Sequence, residues 1–171
     1  MSKGGAMDIN DKQWTQIRKI FRDAFYSSFH FAIATVNKDG TPHVTPIGSL
    51  MLGDNRKGFY FEGYVSALSQ NLLHNKRVCV LAVNSGKWSL LKSFFLGRIT
   101  TPPGVRLMGT ASERREATEE EMDLFKKRFR MYRMFKGYDL VWGSLRHVRE
   151  IHFDAYEPVR IGALTRAVWN E

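Results

Sequence analysis

The sequence predicts a single small domain that is mainly β, a barrel with flanking helices. Three observations lead there. Several short segments rich in β-branched and aromatic residues follow one another in meander order, with turn residues between them. Helical periods are few, so the chain lacks the strand–helix alternation of a doubly wound sheet. The length of 171 residues, with 43% hydrophobic and 25% charged content, suits one globular domain with its own core.

Residues 1–10 read as a disordered or weakly ordered N-terminus and residues 11–171 as the domain. Asp11 to Ser27 carries Trp14, Ile17, Phe21 and Ala24 on one helix stripe, with Asn10 or Asp11 as N-cap. Phe29 to Val36 is a β-rich run, apolar on both faces. Asn37-Lys38-Asp39-Gly40 supplies a tight hairpin turn, Gly40 being free to take positive φ. Thr41 to Leu52 returns as a strand, and Pro42 and Pro46 set it at an edge or bulge, because proline donates no ladder hydrogen bond. Gly53 to Gly58 is a second turn, and Gly58 to Glu62 a third strand. Ser66 to Asn75 reads as a short helix with Leu68 and Leu72 on one face, and Arg77 to Val83 as a buried strand. Residues 85–101 form a long apolar insert that Pro102-Pro103-Gly104 ends, and Val105 to Ser112 is a further strand. Thr118 and Glu121 make a capping box ahead of the stripe Met122, Phe125, Phe129, Tyr132, a helix to about Lys136. Val148 to Phe153 and Val159 to Ala163 close the chain as strands.

One cysteine, Cys79, excludes an intramolecular disulfide and a thiolate zinc cluster; its run of Val and Leu neighbours reads as core. The histidines lack the spacing of a zinc helix, so no metal site is expected. The N-terminus lacks the apolar stretch of a signal peptide and no segment is long enough to span a membrane, so a cytoplasmic location is the expectation. The net charge of +9 is uneven: from Gly63 to Ser112 there is no acid, yet Lys76, Arg77, Lys87, Lys92, Arg98 and Arg106 lie there. Such a field attracts anions, although a solvated basic face explains it as well. Within Asp123 to Arg149, the basic residues of the helical portion read as the outward face of an amphipathic helix, and nucleic-acid binding is not expected.

The segment Phe31-Ala-Ile-Ala-Thr-Val-Asn-Lys-Asp-Gly-Thr-Pro-His-Val-Thr-Pro-Ile47 resembles the opening hairpin of the pyridoxamine-phosphate-oxidase-like family. Gly58-Phe-Tyr-Phe-Glu62, and then Ser66 to Val83 with Asn71-Leu72 and Arg77-Val78, resemble the family's succeeding segments. The resemblance covers roughly residues 12 to 163 and implies a split β-barrel that works as a homodimer with FMN at the subunit interface. A deazaflavin, haem or no cofactor are the alternatives. It implies that the ring lies along the second strand, here His43, Thr45, Pro46, Ile47 and Gly48. The phosphate would meet Phe61, Glu62 and Ser66, where a helix start offers unpaired N–H groups. Ser66 is there either a hydroxyl donor or a plain N-cap.

The chain also departs from that family. Ala67-Leu68 stand where the best-known members have an Arg-Lys pair, and Thr45 and Leu50 where they carry basic residues. Glu62 falls close to the expected phosphate and opposes it. Lys87 and Arg106 are the expected replacements, since a phosphate needs charge-assisted partners. Trp88, in the insert, is a candidate ring contact, although the insert as a whole is expected to pack within the dimer; Arg160 is a candidate cation near the last strand, with Arg166 its rival. The function expected is that of an FMN-dependent oxidoreductase, passing hydride between the flavin and a small substrate or nicotinamide donor, with no residue assigned as catalytic. A non-catalytic barrel that binds haem or another anion is the alternative.

Overall fold

The first helix begins where Asn10 closes a capping box. In the computed structural model, which describes residues 5–63, 66–86, 99, 102–134, 143 and 145–169, the Asn10 carboxamide accepts from the Gln13 N–H (2.9 Å) and Gln13 answers through its own side chain (2.8 Å). Helix α1 (Asp11–Ser28) buries Trp14, Ile17, Ile20, Phe21, Ala24 and Phe25 along one side and ends at Phe29 in the left-handed region. The strands are β1 (Met7–Asp8), β2 (Phe31–Val36), β3 (Pro42–Ile47), β4 (Met51–Leu52), β5 (Lys57–Phe61), β6 (Arg77–Val83), β7 (Gly104–Ala111), β8 (Arg115–Glu116) and β9 (His147–Pro158). Helix α2 (Ser66–His74) lies between β5 and β6, and α3 (Glu119–Arg128) follows β8.

The nine strands of the described residues form one antiparallel sheet in the order β3-β2-β6-β7-β9-β5-β4, with β1 and β8 added to β9. It curls around α1 as a half-barrel, the form a split barrel takes. The first hairpin turns at Gly40, φ +86°. The second is tighter: Asn55 and Arg56 both have positive φ, the backbone of a type I′ turn. Met7–Asp8, within the segment expected to be weakly ordered, pair with Tyr156 and Ala155.

Three expectations change. Thr41 to Leu52 is not one strand but β3 and β4 with a break at Gly48–Leu50. There Ser49 Oγ replaces the ladder, donating to the Phe61 carbonyl and accepting its N–H, both at 3.1 Å. The two closing strands are one, β9, since pairing to β7 on one side and β5 on the other keeps it extended to Pro158; residues 162–168 coil as a 3-10 helix instead of extending to Ala163. Helix α3 stops at Arg128 and tightens into a 3-10 turn (Arg130–Met134), which sets Phe129 and Tyr132 against Phe25 and Phe29.

Directly paired residues share a face, so the register sorts the sheet into two. Thr45, Ile33, Val80, Leu107 and Tyr156 form one row of the inner face, which α1 covers. On the outer face run Pro46, Ala32, Leu81, Arg106 and Glu157, and beside them Val44, Ala34, Cys79, Met108 and Ala155. Cys79 therefore stands half-buried on the outer face rather than in the core. No helix of the described residues is long and apolar enough to cross a membrane.

Candidate functional site

At the edge strand β3, the inner face turns polar. His43 pairs with Thr35 across the hairpin, and its Nε2 lies 3.0 Å from Thr45 Oγ1. Thr35 is buried and accepts from Asn71 Nδ2 (3.0 Å), while the same amide donates to Asn37 Oδ1 (2.8 Å). Asn71 thus ties α2 to β2 and to the turn that follows it. A buried side-chain amide satisfied by two acceptors fixes an orientation that apolar contact alone leaves loose.

The junction of β5 and α2 is built around a buried charge. Glu62 follows β5, is almost wholly buried, and its Oε1 accepts from Arg149 Nε at 2.7 Å. Arg149 comes from β9, sits opposite Tyr60 in the ladder, and also donates to the Ser112 carbonyl (3.0 Å). The Tyr60 hydroxyl reaches Glu62 Oε1 at 3.5 Å, and burial, then the charge of Glu62, hold that hydroxyl well above its ordinary pKa. Glu62 Oε2 is buried with no hydrogen bond among the described residues; Arg114 Nε approaches it as an ion pair at 3.5 Å, from a side chain that is half exposed. A 3.5 Å contact supplies Coulomb attraction but not a hydrogen bond, so the oxygen remains an acceptor without a donor. It borders a cleft of about 430 Å³ that Ser69, Gln70, Glu113, Arg114 and Arg149 also line.

The expected site residues divide between the faces. His43 and Thr45 stand together on the inner side of β3, whereas Pro46 and Arg106 stand on the outer side, where Arg106 pairs with Glu157 at 3.3 Å. Ile47 and Phe61 point into the core, the Phe61 ring 4.5 Å from that of Phe125. A side chain at Gly48 would press the Phe29 carbonyl, its Cβ only 3.1 Å away. Ser66 is the first residue of α2, and Leu68 is turned fully into the core. Arg160 is exposed beyond the end of β9, a strand four places along the sheet from β3. Lys87 and Trp88 lie outside the described residues. Glu62 does not stand as a lone repelling charge, because two arginines meet it. Arg114, Arg149, Thr35 and Asn71 were not singled out from the sequence as site residues. The available signal for Arg149 is a charged residue between the apolar Val148 and Ile151 of a strand.

The family described as pyridoxamine 5'-phosphate oxidase matches residues 17–159 of the chain. No curated protein matches it by sequence. Among solved structures, HupZ of Group A Streptococcus is similar, with 18% identity, a TM-score of 0.55, and 86% of this chain and 98% of that one covered. An FMN-binding protein of Syntrophomonas wolfei subsp. wolfei has 14% identity and a TM-score of 0.57, covering 88% of this chain and 94% of its own. An F420 reductase has 15% identity and a TM-score of 0.51, over 74% and 87%. At such identities the likeness is one of fold.

Proposed function

The chain belongs to the pyridoxamine 5'-phosphate oxidase family, and from that premise we propose that it is a flavin-dependent oxidoreductase acting on a small molecule, with FMN bound by a homodimer. Two fold neighbours are named for such cofactors, one as FMN-binding and the other as an F420 reductase, F420 being a deazaflavin. The observation that carries the reading is the buried, unbonded Glu62 Oε2 beside the start of α2. An acceptor there calls for a hydroxyl or N–H donor, and a ribityl chain bears several hydroxyls next to its phosphate.

Arg149 holds the Glu62 carboxylate in place from inside, which leaves the half-exposed Arg114 to meet an anion at the mouth of the cleft. The N-terminus of α2, with the positive end of its helix dipole, adds to the attraction for an anion. His43 and Thr45 line the β3 edge where the ring is proposed to lie. Bound flavin supplies the hydride chemistry; the protein binds, orients and excludes water. Because Leu68 is in the core, no cation replaces the family's pair at that position, and the oxidation of pyridoxamine phosphate is not assigned.

The dimer is proposed to close over the outer face. Val44 is 60% exposed there, and Val36 and Val83 are also open. Along the two outer rows that run through Leu81 and Cys79, the Arg106–Glu157 ion pair is the one charged interruption. Apolar faces of this kind mark interaction surfaces.

The test is a titration of the whole protein with FMN, and separately with a deazaflavin, read by flavin fluorescence and melting temperature. A ligand selective for the folded state raises that temperature. Arg114→Ala is expected to weaken FMN by about tenfold, with the unliganded melting temperature nearly unchanged. No shift with either cofactor, in a folded dimer, overturns the proposal.

A further inference from the structure

Between α1, α3 and the turn after β4 lies a groove of about 970 Å³ that the flavin reading does not use. Its floor is apolar, with Phe21, Phe25, Phe31, Leu50, Phe59 and Leu124 among its lining. Six cations line it too, Lys12, Arg18, Lys19, Arg22, Lys127 and Arg128, and no Asp or Glu among the described residues does. Acids from outside the groove meet some of them: Arg18 bridges Asp54 (2.7 Å), while Lys19 and Arg22 share Asp23 (3.2 and 3.7 Å). Lys12, Lys127 and Arg128 have no carboxylate partner among the described residues.

Arg128 is the most informative of these. Its guanidinium lies over the Phe25 ring, 3.7 Å from the centroid, and Nη1 donates to the Leu50 carbonyl at 2.6 Å. Burial pushes its pKa down to about 10. A desolvated cation with no counter-charge is unfavourable unless an anion joins it. Nε and Nη2 have no partner among the described residues, and a guanidinium fork matches a carboxylate in two parallel hydrogen bonds. A small inorganic anion would leave the aromatic floor in water, whereas an acyl chain would cover it.

We propose that this groove binds one amphiphilic carboxylate of the fatty-acid type, its chain against Phe21, Phe25, Phe59 and Leu124 and its carboxylate on Arg128. The site is independent of the flavin reading. It takes a monomeric ligand rather than a membrane surface, since the apolar residues line a recess and the cations surround it.

Calorimetric titration of the whole protein with monomeric dodecanoate tests this, with dodecanol, dodecyltrimethylammonium and phosphatidylglycerol vesicles as comparisons. Saturable one-site binding of dodecanoate is expected, with dodecanol and the cationic analogue weaker by at least about tenfold. Arg128→Gln and Leu124→Glu should each weaken dodecanoate by a similar factor. If Arg128→Gln does not fold, Leu124→Glu and Lys127→Glu carry the test, since both residues are exposed. Four results overturn the proposal: no saturable binding, equal affinity for dodecanol, full affinity in both exposed-residue variants, or binding to vesicles without binding of dodecanoate.

Discussion

Among the described residues, Glu62 and Arg149 are the two charges enclosed most completely, each side chain 3% exposed. A buried ion pair of this kind adds little net stability, because desolvating both groups opposes their attraction; breaking it on one side is another matter. Arg149→Met leaves an enclosed carboxylate with the half-exposed Arg114 as its one cationic partner among the described residues. Urea denaturation should report a loss of about 3–5 kcal/mol. In the double variant Glu62→Leu, Arg149→Met most of that loss should return, and an equal or larger loss would show that packing rather than charge holds the junction. The pair lies 87 residues apart in sequence, so no local pattern could have joined them.

At the next scale, α3 shows how much a few polar atoms fix. Thr118 accepts from the Glu121 N–H (3.2 Å), and Glu121 returns the bond to the Thr118 N–H (2.9 Å) while holding Arg115 through both carboxylate oxygens (2.8 and 2.7 Å). Thr118→Ala should cost about 1 kcal/mol. Arg115 and the Thr118 N–H hold the Glu121 carboxyl below its ordinary pKa, the arginine being the larger cause. A depressed folded pKa means the unfolded chain binds the proton more readily. This stability is therefore whole above the ordinary glutamate value, about 4.3, and lost as pH falls through the lower folded one. Chemical denaturation followed from pH 6 downward should show Glu121→Gln with a shallower acid decline than the wild type. Parallel curves would assign the decline to other carboxylates.

For the whole molecule, the decisive feature is the sheet face that α1 does not cover. If two copies close over it, as proposed, Leu81→Arg and Val44→Arg should convert the protein to monomer in sedimentation velocity. Their circular dichroism should stay unchanged, because Leu81 is only half-buried and Val44 is exposed. FMN affinity should fall in the same variants if the cofactor is shared between subunits. A monomeric wild type with full FMN affinity would sink the dimer while sparing the flavin site.

What the sequence by itself determined is local. The α1 stripe, the box at Thr118, the turn at Gly40 and the extent of β6 all depend on residues within a few positions of one another, where pattern and geometry coincide. The membership of His43 and Thr45 in one strand was legible for the same reason. Tertiary structure alone decided that Arg106 faces away from His43, that Cys79 leaves the core, and that β9 runs on to Pro158. A period of two says which residues share a face, but not which face another element covers. It equally cannot say which arginine reaches an enclosed carboxylate, because that is set by strand order and register, contacts that join residues far apart along the chain.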